Sequence, residues 1–324
     1  MTELVQRMLQ GDRRALARLM TIVENGGADR RRIMASVYSH ADRARIIGVT
    51  GPPGAGKSTL TDRLVRTYRE RGLTVGVLAI DPSSPFSGGA LLGDRIRMMR
   101  HAGDKGVFIR SLGTRGNRGG LARATREFSI LLDAFGKDVI IIETVGVGQT
   151  ELDIMDLAQT VVVVFVPESG DVIQTMKAGL TEIADVFLVN KSDRAGADQL
   201  VAELRAMVEM SEGRDGWETP VIKTQAFKDV GIDSVVQALD DHEEYIRGRE
   251  QKQVEEVFIR EVREVLIDQV KDNLEERLGS ADTIRGLVDA EDYEAKNPYL
   301  VAERILENGK LARRILFAPD DEGT

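Results

Sequence analysis

The sequence predicts an α/β fold, a largely parallel sheet of about seven strands between helices, with helical extensions at both ends. Three observations carry this. Short β-rich runs alternate with helical stretches through the middle of the chain. The runs are continuously apolar rather than alternating, so both faces of the sheet are expected to be covered. Both ends read as helix without strands.

Residues 1–40 look wholly helical. Asp12 can cap a helix beginning RRALARLM, and Asn25-Gly26-Gly27 can end it. The strands are expected at 45–51, 73–81, 106–112, 138–144, 160–167, 185–191 and 219–225. Helices separate most of them, for example TLTDRLVRTYRERG (59–72) and LARATREFSILLDAFG (121–136). The expected organisation is an N-terminal helical extension (1–40), an α/β domain (41–248) and a C-terminal helical region (249–324). In that last region, a long helix from Glu250 to Leu278 carries Val254, Val257, Phe258, Val262, Val265, Leu266, Val270 and Leu274 on one broad face. This stripe either packs on its own domain or buries against a second copy. A further helix follows Asn297-Pro298.

The segment GPPGAGKST comprises Gly51, Pro52, Pro53, Gly54, Ala55, Gly56, Lys57, Ser58 and Thr59. It follows a strand and opens a helix, the context that the phosphate-binding pattern G-x-x-x-x-G-K-[ST] requires. Glycines let the backbone amides turn toward phosphates, and the helix N-terminus adds its positive dipole end. Lys57 is expected to reach the β- and γ-phosphates, and Ser58 to ligate Mg²⁺.

NKSD, Asn190 to Asp193, ends the sixth strand. Asp193 can accept from guanine N1–H and N2–H₂, a donor pair that adenine lacks, which favours GTP and GDP over their adenine counterparts. Asn190 would brace the loop, and the Lys191 stem would lie along the base. Thr224-Gln225-Ala226, ending the seventh strand, sits where a backbone amide could meet guanine O6.

Asp81 ends the second strand, and Asp94 follows a Gly-rich stretch. Each can serve as a turn or cap residue, but both lie where they can reach the metal and γ-phosphate side. Glu143 closes the apolar strand that leads into ETVGVGQTE, the position of the metal-side carboxylate in phosphoryl-transfer sites of this form. It is one methylene longer than aspartate, about 1.5 Å. It can therefore reach a water in the Mg²⁺ shell, or a mobile neighbour, without moving the strand. Gly146 is then placed to donate its amide to the γ-phosphate. No glutamine follows Gly146 directly, so intrinsic hydrolysis is expected to be slow.

Composition excludes several classes. With no cysteine, the chain has no disulfide, thiolate metal site or catalytic thiol. His40, His101 and His242 are far apart in sequence and read as structural or solvated. A net charge of −9 argues against nucleic acid as a partner. The longest apolar runs, such as VVVVFV (161–166), are too short to span a bilayer. A soluble, cytoplasmic protein with no membrane partner is the expectation.

Together, DPSSPFSGGALLGDRIRM, FIRSLGTRGNRGGLARAT, ETVGVGQTE and PESGDVIQTMKAGLTEIADVFLVNKSD resemble the G3E P-loop GTPases. Within them they are similar to the MeaB/MMAA group, which chaperones adenosylcobalamin-dependent acyl-CoA mutases. The resemblance spans about Arg45 to Ile246. It implies a Mg²⁺-dependent GTPase with Lys57 and Ser58 on phosphate and metal, Asp81 and Asp94 in switch I, and Lys57, Asp94 and Glu143 as the catalytic candidates, Asp94 for metal or catalytic work. Glu143 to Glu151 would be switch II. Glu168 to Lys177, with Asp171, Gln174 and Lys177, would be a third switch coupled to the mutase. The C-terminal helices would form a homodimer. Two alternatives remain: a metal-insertion G3E GTPase, disfavoured by the missing cysteines, and a small-molecule kinase.

Overall fold

The structure, a computed structural model, describes residues 2–41, 43–81, 98–101, 103–113, 118–144, 154–167, 183–210, 216–248, 250–279, 284–285, 288 and 297–316. The chain divides into two compact units, Met1–Gly248 and Arg249–Thr324.

In the first unit the strands are β1 (Arg45–Thr50), β2 (Val75–Asp81), β3 (Val107–Gly113), β4 (Val139–Glu143), β5 (Thr160–Phe165), β6 (Val186–Val189) and β7 (Val221–Lys223). They form one seven-stranded sheet in the order β3-β2-β4-β1-β5-β6-β7. Every pairing is parallel. All seven expected strands are present, trimmed by a residue or more at most ends.

The continuous apolar runs are explained by alternation between two cores. Ile140 and Ile142 of β4, with Val161 and Val163 of β5, face one side; Ile141, Val162 and Val164 face the other. The first side is covered by α1 (Thr2–Leu9), α2 (Arg13–Asn25), α3 (Gly27–Val37), α5 (Arg118–Ala134) and α6 (Ala197–Met210). The second is covered by α4 (Lys57–Glu70) and α7 (Ile232–Arg247), through Leu60, Leu64, Tyr68, Val235, Val236 and Leu239. Burying both faces puts a partner against every apolar side chain, which is why no residue of β4, β5 or β6 is left exposed.

The first forty residues share this core rather than standing apart from it. Met8, Leu16, Leu19, Met20, Ile33 and Val37 are buried in the same cluster as the strands. An almost fully buried ion pair, Arg30 Nε to Glu127 Oε1 at 2.6 Å, ties α3 to α5. The expected cap forms: Asp12 accepts from the amides of Arg14 and Ala15 at 2.8 and 3.1 Å.

The second unit contains α8 (Glu250–Leu278), α9 (Pro298–Glu307) and α10 (Gly309–Leu316). Asn297 caps α9, accepting from Tyr299 and Leu300 amides. Asn273 Nδ2 of α8 donates to the Leu316 carbonyl at 3.2 Å, joining α8 to α10. Along α8, Phe258, Ile259, Val262, Val265, Leu266, Ile267 and Val270 are all exposed. Ile259 falls within the expected stripe and Ile267 at its edge, and the exposed apolar side chains from Phe258 to Val270 span roughly 200° of the helix at about 100° per residue. The side chains of Val254 and Val257 lie outside the described residues.

No described helix is long and apolar enough to cross a membrane.

Candidate functional site

The site is built at the carboxyl ends of the parallel strands, where an open α/β sheet presents its loops. β1 runs into the turn 51–56, which opens directly into α4 at Lys57, two residues earlier than the sequence suggested. Glycine is required at two places in this turn. Gly51 has φ 134°, and a Cβ there would lie 2.2 Å from the Val164 carbonyl oxygen. Gly56 has φ 92°, and a Cβ there would lie 2.4 Å from Asn190 Nδ2. The turn therefore presses against β5 on one side and the loop after β6 on the other.

Lys57 is buried, and its ammonium donates to the carbonyls of Gly51 at 2.7 Å and Pro52 at 3.1 Å. Those contacts hold a positive charge inside the turn. Ser58, next on the helix, donates from Oγ to Glu143 Oε1 at 2.5 Å. Glu143 reaches it because β4 lies beside β1, with Glu143 opposite Val49. Both side chains are almost fully buried. Thr144 locks the end of β4 to β1, its amide donating to Val49 O at 3.0 Å and its hydroxyl to Thr50 Oγ1 at 2.8 Å.

Mg²⁺ prefers hard oxygen donors in near-octahedral geometry with Mg–O distances of about 2.1 Å, which puts neighbouring ligand oxygens about 3 Å apart. The Ser58 hydroxyl and the Glu143 carboxylate are such donors and already lie within one coordination sphere of each other. The pair fits this ion.

At the base end, Asn190 follows β6 and bridges three elements. Its Nδ2 donates to Ala55 O at 2.8 Å, within the phosphate turn. Its Oδ1 accepts from the Ala226 amide at 3.0 Å and the Thr224 hydroxyl at 3.2 Å. A backbone amide of Thr224-Gln225-Ala226 is expected to meet guanine O6, but all three are engaged within the protein here: Thr224 with Val189 O, Gln225 with Val230 O and Ala226 with Asn190 Oδ1. Lys191 takes a left-handed φ of 54°, and its ammonium crosses to the Gly54 carbonyl at 2.8 Å. Its stem therefore spans from the NKSD loop to the phosphate turn. Asp193 is half-exposed, with Lys228 Nζ 3.3 Å from Oδ2. Its own backbone N–H, and then Lys228, hold its carboxyl below the usual aspartate range, so it is ionised at neutral pH. Gln225 keeps the seventh-strand loop closed, exchanging backbone bonds with Val230 at 3.0 and 3.3 Å.

The structure thus brings together Gly51, Gly54, Ala55, Gly56, Lys57, Ser58 and Glu143 with Asn190, Lys191, Thr224 and Ala226. Pro52, Pro53 and Thr59 complete the same turn and first helical turn. Asp81 closes β2 opposite Gly113, two residues beyond the Ala79–Glu143 pairing, so its backbone lies at the same edge of the sheet. The Asp81 side chain, Asp94, Gly146 and residues 168–177 lie outside the described residues.

The histidines are dispersed. His40 is exposed, His101 pairs with Asp62 at 3.0 Å, and His242 is buried against the Thr160 hydroxyl at 2.9 Å. Sequence reasoning missed Arg63 and Asp229. Arg63 donates to the Ala226 and Phe227 carbonyls and pairs with Asp229. Nothing in the sequence separates Arg63 from the other arginines on the α4 surface.

Comparison with known proteins agrees with this geometry. The family model described as methylmalonyl-CoA mutase-associated GTPase MeaB matches residues 16–281. A Pyrococcus abyssi protein named as a GTPase is 46% identical over 314 residues, covering 94% of this chain and 95% of the relative. The GTPase ArgK of Escherichia coli is 35% identical over 250 residues, covering 74% and 75%. The methylmalonic aciduria type A homolog, mitochondrial, of Mus musculus is 35% identical over 243 residues, covering 69% and 59%. A crystal structure of a LAO/AO transport system kinase superposes with a TM-score of 0.68 at 25% identity, covering 97% of this chain and 95% of that one. With the phosphate turn, the buried Ser58–Glu143 pair and the fold already in place, the chain is a P-loop GTPase that belongs to the MeaB family of methylmalonyl-CoA mutase-associated GTPases.

Proposed function

We propose that this GTPase couples binding and hydrolysis of GTP to the loading, protection or reactivation of an adenosylcobalamin-dependent acyl-CoA mutase. The observation that carries it is the family match, which covers most of the chain and is described by association with methylmalonyl-CoA mutase. The name of the mouse relative points to the same metabolism.

In this reading, backbone amides of the turn 51–56 and the Lys57 ammonium hold the phosphates. Ser58 and Glu143, with Asp81 and Asp94, hold Mg²⁺, which would neutralise charge on the β- and γ-phosphates. Lys57 is buried, so its charge acts on the phosphates with little screening by water. Asp193 reads the guanine N1–H and N2–H₂, Asn190 fixes the loops around it, and the Lys191 stem flanks the base. Gly146 donates to the γ-phosphate. Residues 168–177 carry the nucleotide state to the mutase.

The helical unit supports a homodimer as the working form. A helix of 29 residues with so many exposed large apolar side chains has more uncovered surface than a monomer normally leaves in water.

The deciding experiment is steady-state GTPase with and without candidate mutases. The right mutase is expected to raise turnover at least tenfold, about 1.4 kcal/mol of transition-state stabilisation. Replacing Asp171, Gln174 and Lys177 with Ala should remove that gain. No stimulation by any acyl-CoA mutase, and no mutase captured from native lysate, would overturn the proposal. A small-molecule kinase is the second reading, favoured by the crystal structure described as a transport system kinase. It requires the γ-phosphate to appear on an acceptor instead of as free phosphate.

A further inference from the structure

We propose that Arg63 is a positioning residue for base recognition: from the helix that begins at the phosphates, it fixes the loop that meets the guanine. This rests on the reading of Asn190 and Asp193 as the guanine-recognition residues.

Arg63 lies five residues after Ser58 on α4, about 7.5 Å along the helix axis. Its side chain is 13% exposed and reaches three acceptors in the segment after β7. Nε donates to the Ala226 carbonyl at 3.1 Å, and Nη2 to the Phe227 carbonyl at 3.3 Å. Nε also lies 3.0 Å from Asp229 Oδ1. The same carboxylate is held by Arg66, one turn further on, through Nη2 to Oδ1 at 3.1 Å and Nη1 to Oδ2 at 3.2 Å. Asp229 sits at φ 61°, a left-handed conformation that costs a non-glycine residue free energy and persists where its surroundings hold it. The two guanidinium groups supply that hold.

The consequence is at Ala226. Its amide is taken by Asn190 and its carbonyl by Arg63, so this residue is pinned from the base-recognition loop and from the phosphate helix at once. Two positions along, Lys228 lies 3.3 Å from the Asp193 carboxylate. The segment 226–229 therefore determines where the charge partner of Asp193 sits. Without Arg63, the segment keeps its ties to Asn190 and, through Asp229, to Arg66 on the helix carrying Lys57 and Ser58, but loses the contacts that hold the Ala226 and Phe227 carbonyls to that helix. The helix then grips the segment through the half-exposed Asp229 side chain, which holds the spacing of the phosphate and base subsites less rigidly.

An exposed ion pair has little worth, and Arg66–Asp229 alone would carry no such argument. Arg63 differs because it is mostly buried and donates to two main-chain carbonyls in a fork that lysine cannot reproduce.

The test is calorimetry of the full chain with GDP and ADP in Mg²⁺, on wild type, Arg63→Ala, Arg63→Lys, Asp229→Asn and Asp193→Asn. Arg63→Ala is expected to weaken GDP about tenfold and to shrink the GDP-over-ADP preference by a similar factor. In turnover the loss should fall on KM for GTP more than on kcat. Arg63→Lys should not rescue it, and Asp229→Asn should move the preference the same way by a smaller factor. Asp229 is 40% exposed, so that variant reports even if Arg63→Ala does not fold. An unchanged GDP-over-ADP preference in the folded Arg63 and Asp229 variants, with Asp193→Asn reducing it, would overturn this inference alone. Unchanged preference in Asp193→Asn would remove the guanine reading beneath it.

Discussion

The proposed phosphate end and the proposed base end of the site are built on opposite principles. At the phosphate end, Lys57, Ser58 and Glu143 are 6%, 8% and 5% exposed, and each is held within a short radius of the β1–α4 turn. At the base end, the Asp193 and Lys228 side chains are 47% and 59% exposed, and the Phe227 residue is 82% exposed. A buried charge acts strongly because water does not screen it, and it is costly unless neighbours compensate it. An exposed carboxylate contributes less energy but can still discriminate, since adenine offers it no matching pair of N–H donors. The first arrangement suits charge stabilisation during hydrolysis; the second suits the choice of nucleotide.

If this contrast is right, removing the buried charge should have the largest effect. Lys57→Ala is expected to lower GTP affinity by more than a hundredfold and to abolish measurable turnover. Calorimetry and phosphate release check it; GTP affinity within tenfold of wild type would erase the contrast.

Next in size is Glu143. Shortening it to aspartate pulls the carboxylate back about 1.5 Å from the Ser58 hydroxyl it meets at 2.5 Å. Glu143→Asp is expected to raise the Mg²⁺ concentration needed for half-maximal turnover at least tenfold while leaving metal-free GDP binding within a few-fold. A Mg²⁺ titration of the steady-state rate reads this directly. Equal Mg²⁺ dependence in the two proteins would leave the Ser58–Glu143 contact a structural hydrogen bond.

Smaller still is the base end. Asp193→Asn replaces one acceptor oxygen with a donor facing guanine's own donors. A lost charged hydrogen bond of about 1.5–3 kcal/mol corresponds to roughly ten- to a hundredfold in GDP affinity. Because the group is exposed, the low end of that range is expected. A loss equal to that of Lys57→Ala would show that the two ends are not so different.

These differences bear on what could be read in the sequence. The strands at 45–51, 138–144 and 160–167 were legible because each is a short continuous apolar run rich in β-branched residues, too short for a buried helix of ordinary length. The phosphate turn was legible because its chemistry sits in nine consecutive residues. The strand-end acid put Glu143 on the same metal side as Ser58, but their direct contact, across 85 residues, is visible only once β4 is seen to pair with β1. Arg63 and Asp229 were not legible. Their contact joins elements 166 positions apart, and an arginine facing a loop looks like one facing water. The sharing of the sheet's core by residues 5–37 stays open in the sequence for a related reason. A pattern such as Leu16, Leu19, Met20 shows that a helix has an apolar face but not what covers it.

The comparison is sharpened by a second buried lysine that has no place in the nucleotide site. Lys137 precedes β4 at the amino-terminal end of the sheet and is 4% exposed, with Nζ donating to the Gly106 carbonyl at 2.7 Å. Burial pushes its pKa down to about 8, and the nearby Arg13 and Arg69 push the same way. In the unfolded chain it would titrate near 10.5, so the folded state binds the proton less tightly. Below about pH 8 both states are protonated and the fold bears the full cost of a buried cation. As pH rises from about 8 toward 10.5 the folded lysine is neutral while the unfolded one is still charged, and this contribution to stability increases. Replacing Lys137 with Met removes the titration. The melting temperature of wild type relative to Lys137→Met should therefore climb by a few degrees between pH 7 and pH 9.5, at about 2–4 °C per kcal/mol for a domain of this size. GTP turnover of Lys137→Met at pH 7 should match wild type. A flat difference in melting temperature would mean that Lys137 keeps an ordinary pKa. A fall in turnover with normal stability would mean that the two ends of the sheet are not chemically separate.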